Sequence, residues 1–182
     1  MKGVLLFLGF LLTSCGYQFG DRGMTSVFRT VSIPYVEGDA YGLLTNSVVR
    51  NMSCRGGLSY SSSRGDLSLC ISLSAPKDEN VGFIYAEQPN RQITNIIVPY
   101  EARVTLSAKV TLVDNRAGCT VMGPVDVSVF LDYDFSSDLT NVNFHTFSLG
   151  QLEMHNIAEN IAIRSLYDKL AEKIVDYVAA TW

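Results

Sequence analysis

His145 and His155 are the only imidazoles in the chain, so acid–base and metal chemistry have little to draw on. His155 and Glu159 stand four residues apart and would share one face of a helix, a spacing that holds a metal when further ligands join. Two ligands do not complete a site, and a solvated helix face is the plainer reading. His145, in a loop-like stretch near Asp138, reads as a surface residue. Ser61-Ser62-Ser63 lies in a turn-like Ser/Arg/Gly stretch without a Gly-x-Ser-x-Gly elbow, so no activated nucleophile is in view. Gly20, Gly23, Gly56 and Gly57 do not build a phosphate-cradling loop between a strand and a helix. The expectation is a protein without catalytic residues, without a metal site and without a nucleotide or other dissociable cofactor.

The residue with a definite chemical prospect is Cys15. Met1-Lys2 forms a minimal basic start, and Val4 to Leu12 is an apolar run like the core of a secretory signal. A membrane-spanning helix needs roughly 20 apolar residues, which this run does not reach. Leu12-Thr13-Ser14-Cys15 resembles the lipobox, where small residues fit the lipoprotein signal peptidase and the cysteine thiol receives a diacylglycerol. The resemblance implies a leader at residues 1–14, a single lipoprotein domain at 15–182, and a diacylglycerol with an N-acyl chain on Cys15. Burial of acyl chains yields about 0.8 kcal/mol per CH₂, so several chains hold the N-terminus at a membrane without further protein. Gly16 stands where an Asp resembles an inner-membrane retention signal, which favours an outer-membrane anchor on the periplasmic side. The remaining Cys54, Cys70 and Cys119 are odd in number in an oxidising compartment. One disulfide with one free thiol, or three buried thiols packed as small hydrophobes, both fit.

A chain of 182 residues, 47% hydrophobic, with nine Tyr and nine Phe, is long and apolar enough for one folded domain with a real core. A formal charge of -4 argues against nucleic acid as a partner, since that leaves a basic footprint.

The elements that would position these residues follow from periodicity. Val27, Val31 and Ile33 predict a first strand ending at Pro34-Tyr35. Tyr41, Leu44, Val48 and Met52 repeat at helical spacing from Asp39, the candidate N-cap, to Arg55, and Gly56-Gly57 supplies the stop. Leu67, Leu69, Ile71 and Leu73 alternate with polar residues, a strand that Ala75-Pro76 ends. Lys77 to Val98 mixes charges with Phe83, Ile84, Tyr85, Ile93, Ile96 and Ile97, and reads either as a short hairpin or as an exposed functional loop. Alternation is longest from Tyr100 to Leu112, with Glu101, Arg103, Thr105, Ser107, Lys109 and Thr111 on the polar side. A turn at 114–118 leads to a returning strand from Val125 to Phe135. Ser148 and Gln151 are spaced as a capping box for a helix from about Leu149 to Ala180, striped by Ile163, Leu166, Tyr167, Leu170, Ile174, Tyr177 and Val178. The expected fold is α+β: a two-layer sandwich of a mostly antiparallel four-stranded sheet with two helices on one face, in the order β-α-β-β-β-α.

Two stretches then carry a family resemblance. Cys15-Gly16-Tyr17-Gln18-Phe19, and Thr30-Val31-Ser32-Ile33-Pro34-Tyr35 ahead of an amphipathic helix, resemble the lipopolysaccharide-assembly lipoproteins called LptE or RlpB. The resemblance implies a non-catalytic lipoprotein seated in the lumen of the outer-membrane barrel LptD, as plug and assembly partner during lipopolysaccharide insertion. A polar sheet face would suit a polar barrel lumen, although antiparallel sheets often simply show one face to water. The chain departs from the expected pattern in the long, aromatic 77–98 segment and in stopping at Trp182. For a phosphorylated glycolipid the cations to consider are Arg91, Arg103, Lys109 and Arg116, through charge-assisted hydrogen bonds. Each also reads as a solvated charge that keeps a sheet soluble and resists edge pairing. Phe83 and Tyr85 would anchor the loop on a barrel wall, or pack beneath it. The alternative function is a scaffolding or ligand-carrying lipoprotein unrelated to lipopolysaccharide.

Overall fold

The computed structural model describes residues 27–55, 57–87, 93–134 and 149–180. Along the chain lie β1 (Thr30–Ser32), α1 (Leu43–Arg55), β2 (Ser59–Tyr60), β3 (Leu67–Leu73), β4 (Lys77–Glu87), β5 (Ile93–Asp114), β6 (Cys119–Asp134) and α2 (Leu149–Ala180).

Period-two alternation on β5 sorts its side chains between two environments. Ala102, Val104, Leu106, Ala108, Val110 and Leu112 are all buried in one core. Antiparallel register sets Leu69 and Ile71 of β3 opposite Leu112 and Val110, and Val127 and Tyr133 of β6 opposite Ala108 and Ala102, so one apolar face is continuous across three strands. Leu44, Val48 and Met52 of α1 and Leu166, Leu170, Ile174 and Val178 of α2 close that face. On α2 the small residues Ala162 and Ala171 and the branched Val175 complete the buried stripe, while Tyr177 stays exposed. Ion pairs at the rim, Arg50 with Asp168 and Arg55 with Glu172, hold α1 beside α2. Among the described residues no helix is long and apolar enough to cross a membrane.

The start of α1 is fixed by Asp39, which is almost fully buried. Its carboxylate accepts from Leu43 N at 3.1 Å, Thr45 N at 2.8 Å and Thr45 Oγ1 at 2.9 Å, meeting amide donors that the first helical turn leaves unpaired. The helix therefore begins at Leu43, four residues beyond its capping side chain.

The expected four-stranded, mostly antiparallel sheet is corrected to a six-stranded mixed one, with β1 parallel to both β2 and β3. β2 is two residues long and has no period to read. The chain leaves β1, crosses α1 and returns to β3 in the same direction, a pairing that alternation does not reveal. Ala75-Pro76 does end β3, but the chain stays in the sheet. Ser74 N donates to Ser107 O at 2.9 Å, and β4 continues along the same edge of β5 that β3 occupies. β5 accordingly begins at Ile93, well before the expected Tyr100, and β6 begins at Cys119. Register shifts beside Leu112 absorb Gly123-Pro124, a cis bond, with Gly123 at φ +84.

Candidate interaction surface

The solvent side of the sheet takes the other set of alternating side chains. At its centre Arg103 of β5 stands across from Asp132 of β6 on one side and Glu79 of β4 on the other. Its guanidinium donates from Nε to Asp132 Oδ1 at 2.6 Å and from an Nη to Oδ2 at 2.8 Å, and lies 4.4 Å from the centre of the Phe130 ring. This bidentate bond pulls the Asp132 carboxyl below its usual range and raises Arg103 above its own, with Glu101 and Glu79 adding smaller attraction. Two register pairs further along, on the same face, Glu101 stands across from Asp134, two like charges directly opposite. Four carboxylates, Glu79, Glu101, Asp132 and Asp134, thus surround one arginine.

At the opposite end of the sheet Arg116 N donates to Asp114 Oδ1 at 2.7 Å, and its guanidinium bonds Asp66 Oδ1 at 2.5 Å. Asp66 also accepts from Arg29 N at 3.0 Å and Thr30 N at 3.2 Å. The Arg29 amide chiefly, then Thr30 and Arg116, hold its carboxyl down at about 2. Asp66 thereby ties the chain's arrival at β1 to the start of β3 and to the β5–β6 turn.

Of the four cations considered for phosphate, Arg91 lies outside the described residues. The other three are not gathered. Lys109 is exposed and stands across from Asp126 and Ser72, about 20 Å along β5 from Arg103. Arg103 and Arg116 each already hold a carboxylate. Cys15 and His145 also fall outside the described residues, as does the side chain of His155. Cys54, Cys70 and Cys119 are free and exposed, so neither pairing among them nor burial accounts for them. Among the described residues no group of three His, Cys, Asp or Glu side chains is arranged to hold a metal.

The 77–98 segment is a hairpin arm. Among the described residues, β6 pairs with β5 as far as Asp134 and Glu101, whereas β4 and β5 stay paired to Glu87 and Ile93. Beyond Glu101 a two-stranded ribbon extends from the sheet. Phe83, Ile84 and Tyr85 are consecutive yet exposed by 56%, 46% and 60%, and Ile97, opposite Tyr85, by 58%. Successive side chains in a strand point to opposite faces, so the ribbon is apolar and open on both. The sequence left this segment open between a hairpin and an exposed loop, because its three register shifts break the alternation that would have decided between them. The Arg103–Asp132 pair was hidden for a different reason: both residues are legible as outward-facing, but register alone sets them opposite.

Tyr133 borders this region from the core side. Its hydroxyl donates to Asp78 Oδ1 at 3.3 Å, and burial, followed by the Asp78 charge, pushes its ionisation up to about 12. It therefore stays a neutral hydrogen-bond donor where β4, β5 and β6 meet.

The family model for LptE, lipopolysaccharide assembly, matches residues 28–178, from just ahead of β1 to near the end of α2. No curated protein matches the chain in sequence. Among solved structures, an uncharacterized lipoprotein B from Nitrosomonas europaea superposes with a TM-score of 0.56 at 11% identity, over 91% of this chain and 92% of that one. A rare lipoprotein B from Shewanella oneidensis gives 0.51 at 15% identity, over 84% and 96%. A minor lipoprotein from Acinetobacter baumannii gives 0.51 at 14%, over 85% and 92%. At these identities the likeness is one of fold.

Proposed function

This chain belongs to the LptE lipopolysaccharide-assembly family, and on that premise we propose that it is a non-catalytic outer-membrane lipoprotein, acylated at Cys15, which docks into the LptD β-barrel and helps assemble it for lipopolysaccharide insertion at the cell surface. The carrying observation is the family match across 28–178, which takes in all six described strands, α1 and α2 to within its last turn. The polar outer face of β5 and β6 supports the docking direction. It leaves Arg103, Asp132, Ser107, Ser128, Lys109 and Asp126 facing outward on strands whose other face is core, and barrel lumens are themselves polar. Acylation at Cys15 rests on Leu12-Thr13-Ser14-Cys15, and the anchored N-terminus would leave the body free to seat in a barrel. Direct phosphate contact by Arg91, Arg103, Lys109 or Arg116 belongs to the same proposal. For Arg103 and Arg116 it requires the phosphate to share or displace the carboxylates of Asp132 and Asp66.

Co-purification tests the docking. The acylated chain carrying a C-terminal tag is expressed in its own host, outer membranes are extracted in mild detergent, and what stays bound through size exclusion is identified. A large β-barrel near one-to-one is the expected result, with Cys15→Ala lowering membrane retention. Elution alone, or with a soluble partner, rejects the barrel and leaves the scaffolding alternative.

A further inference from the structure

We propose that Lys173 of α2 and the aspartates of β6 form a guard that keeps the longest regular open edge of the sheet from pairing with a second copy of this chain. The guard is a property of the folded chain by itself and stands apart from the assembly reading.

Among the described strands, β2, β4 and β6 each pair on one side only. β2 is two residues long, and three register shifts break the edge of β4. The β6 edge is different, because its pairing with β5 runs without a shift from Val125 to Asp134. A long, regular edge presents unpaired amides and carbonyls to any extended segment, which is the ordinary route to association strand by strand.

Which groups lie open follows from the ladder. Ser74 N donates to Ser107 O, so Ser107 turns its carbonyl toward the side of β5 that carries β3 and β4. In an antiparallel pair, the residue opposite then turns its own N–H and C=O away from β5 as well. That residue is Ser128. At period two the same holds for Asp126, Phe130, Asp132 and Asp134, all of them exposed. Their side chains stand on the outer face, since the alternate residues Val127 and Tyr133 are buried in the core. The positions that offer edge hydrogen bonds therefore carry Asp, Ser, Phe, Asp and Asp in turn.

Two features close this edge. Lys173 reaches over the rim from α2 and donates from Nζ to Ser128 O at 2.9 Å. It takes an acceptor that an added strand needs and lays a charged side chain where that strand would run. The aspartates act through side-chain pairing. Antiparallel pairing of two β6 edges centred on Phe130 sets Asp126 against Asp134, and centred between Ser128 and Phe130 it sets Asp126 against Asp132. Parallel pairing in register sets each aspartate beside its own copy. Like charges directly opposite destabilise a strand pair. Arg103 holds Asp132 alone, and Glu101 and Glu79 flank that arginine, so the charge of the edge stays negative.

Sedimentation equilibrium of the full acylated chain in density-matched mild detergent, with amide exchange read by fragmentation mass spectrometry, tests the guard. The unaltered chain should stay monomeric, with rapid exchange at Ser128, Phe130 and Asp132. The triple variant Asp126→Thr/Asp134→Thr/Lys173→Gln leaves the Arg103–Asp132 pair in place. It should dimerise or form longer assemblies, and exchange at those three amides should slow at least fivefold. A control with the same change in charge at exposed positions off this edge, Glu37→Gln/Asp176→Asn/Lys169→Gln, should remain monomeric. The proposal is overturned by a triple variant that folds and stays monomeric, by association that leaves the three amides fast, by a control that associates as strongly, or by an unaltered chain already paired through this edge. Far-ultraviolet circular dichroism checks folding. If the triple variant misfolds, Asp126→Thr/Asp134→Thr with Lys173 kept decides in its place, with weaker association expected through the same amides. Equal association with and without Lys173 overturns the part given to the lysine.

Discussion

Asp39→Ala should be among the most damaging single substitutions of a polar residue. The carboxylate is almost fully buried and receives Leu43 N, Thr45 N and Thr45 Oγ1. Thr45 Oγ1 in turn accepts from Val36 N at 3.2 Å, and Tyr35 Oη donates to Asp39 O, so one side chain joins the exit of β1 to the start of α1. Loss of an N-cap typically costs about 1 kcal/mol and up to about 2. Loss of a further bond to a charged acceptor costs roughly 1.5 kcal/mol, because the half-buried Thr45 hydroxyl loses its acceptor. The sum is about 3 kcal/mol. For a domain of this size each kcal/mol moves Tm by about 2–4 °C, which places the melting point of Asp39→Ala about 6–12 °C lower. Asp39→Asn keeps one acceptor oxygen and should lose about half as much. Urea denaturation followed by far-ultraviolet circular dichroism gives both values. Thr45→Val should cost less in the Asp39→Ala background than alone, since its partner is already gone. A loss below about 1 kcal/mol for Asp39→Ala, or equal losses for Ala and Asn, would falsify the account of how α1 is started.

Gly123→Ala should destabilise by about 2 kcal/mol or more, because a Cβ at φ +84 would lie 2.4 Å from Val110 O and neither backbone can give way; thermal melts test it. Leu170→Ala removes a fully buried side chain between α2 and the core, with an expected loss of about 2–5 kcal/mol in urea, whereas Ile161→Ala on the exposed side should change little. Asp66 gives a pH dependence. Its folded value of about 2 lies below the ordinary 3.8, so the unfolded chain binds the proton first, and stability is full above about pH 4 and falls as pH drops toward 2. Asp66→Asn should flatten that acid limb in pH-dependent denaturation, and an unchanged slope counts against the Arg29–Asp66 bond. Arg103→Gln should change stability little, as expected for a partly exposed pair, yet raise the Asp132 carboxyl toward its ordinary value, which carbon-detected NMR titration reads.

Residue order alone determined the parts of this protein that depend on local period. The alternation of β3 and β5, the apolar stripe of α2 with its bounds Leu149 and Ala180, and the capping role of Asp39 are all written at spacings of two, three or four residues. A short-range period is a property of the chain itself, so it survives without a partner. The LptE resemblance was likewise legible, in Cys15-Gly16-Tyr17-Gln18-Phe19 and Thr30-Val31-Ser32-Ile33-Pro34-Tyr35, and the family match over 28–178 agrees with it. What only the tertiary structure decided is which distant residues share a register. Arg103 and Asp132 are 29 positions apart, and Arg116 and Asp66 are 50 apart, so no spacing rule pairs them. The same holds for β1, which pairs in parallel with β3 only after α1 has carried the chain across the sheet. The ribbon is the sharpest case. Phe83, Ile84 and Tyr85 look like core residues by type, yet they are exposed on a stretch of β4 that pairs with β5 beyond the last described pair of β5 with β6. Exposure of an apolar side chain is set by what neighbours it, and neighbours across a sheet are chosen by the ladder, not by the residues themselves.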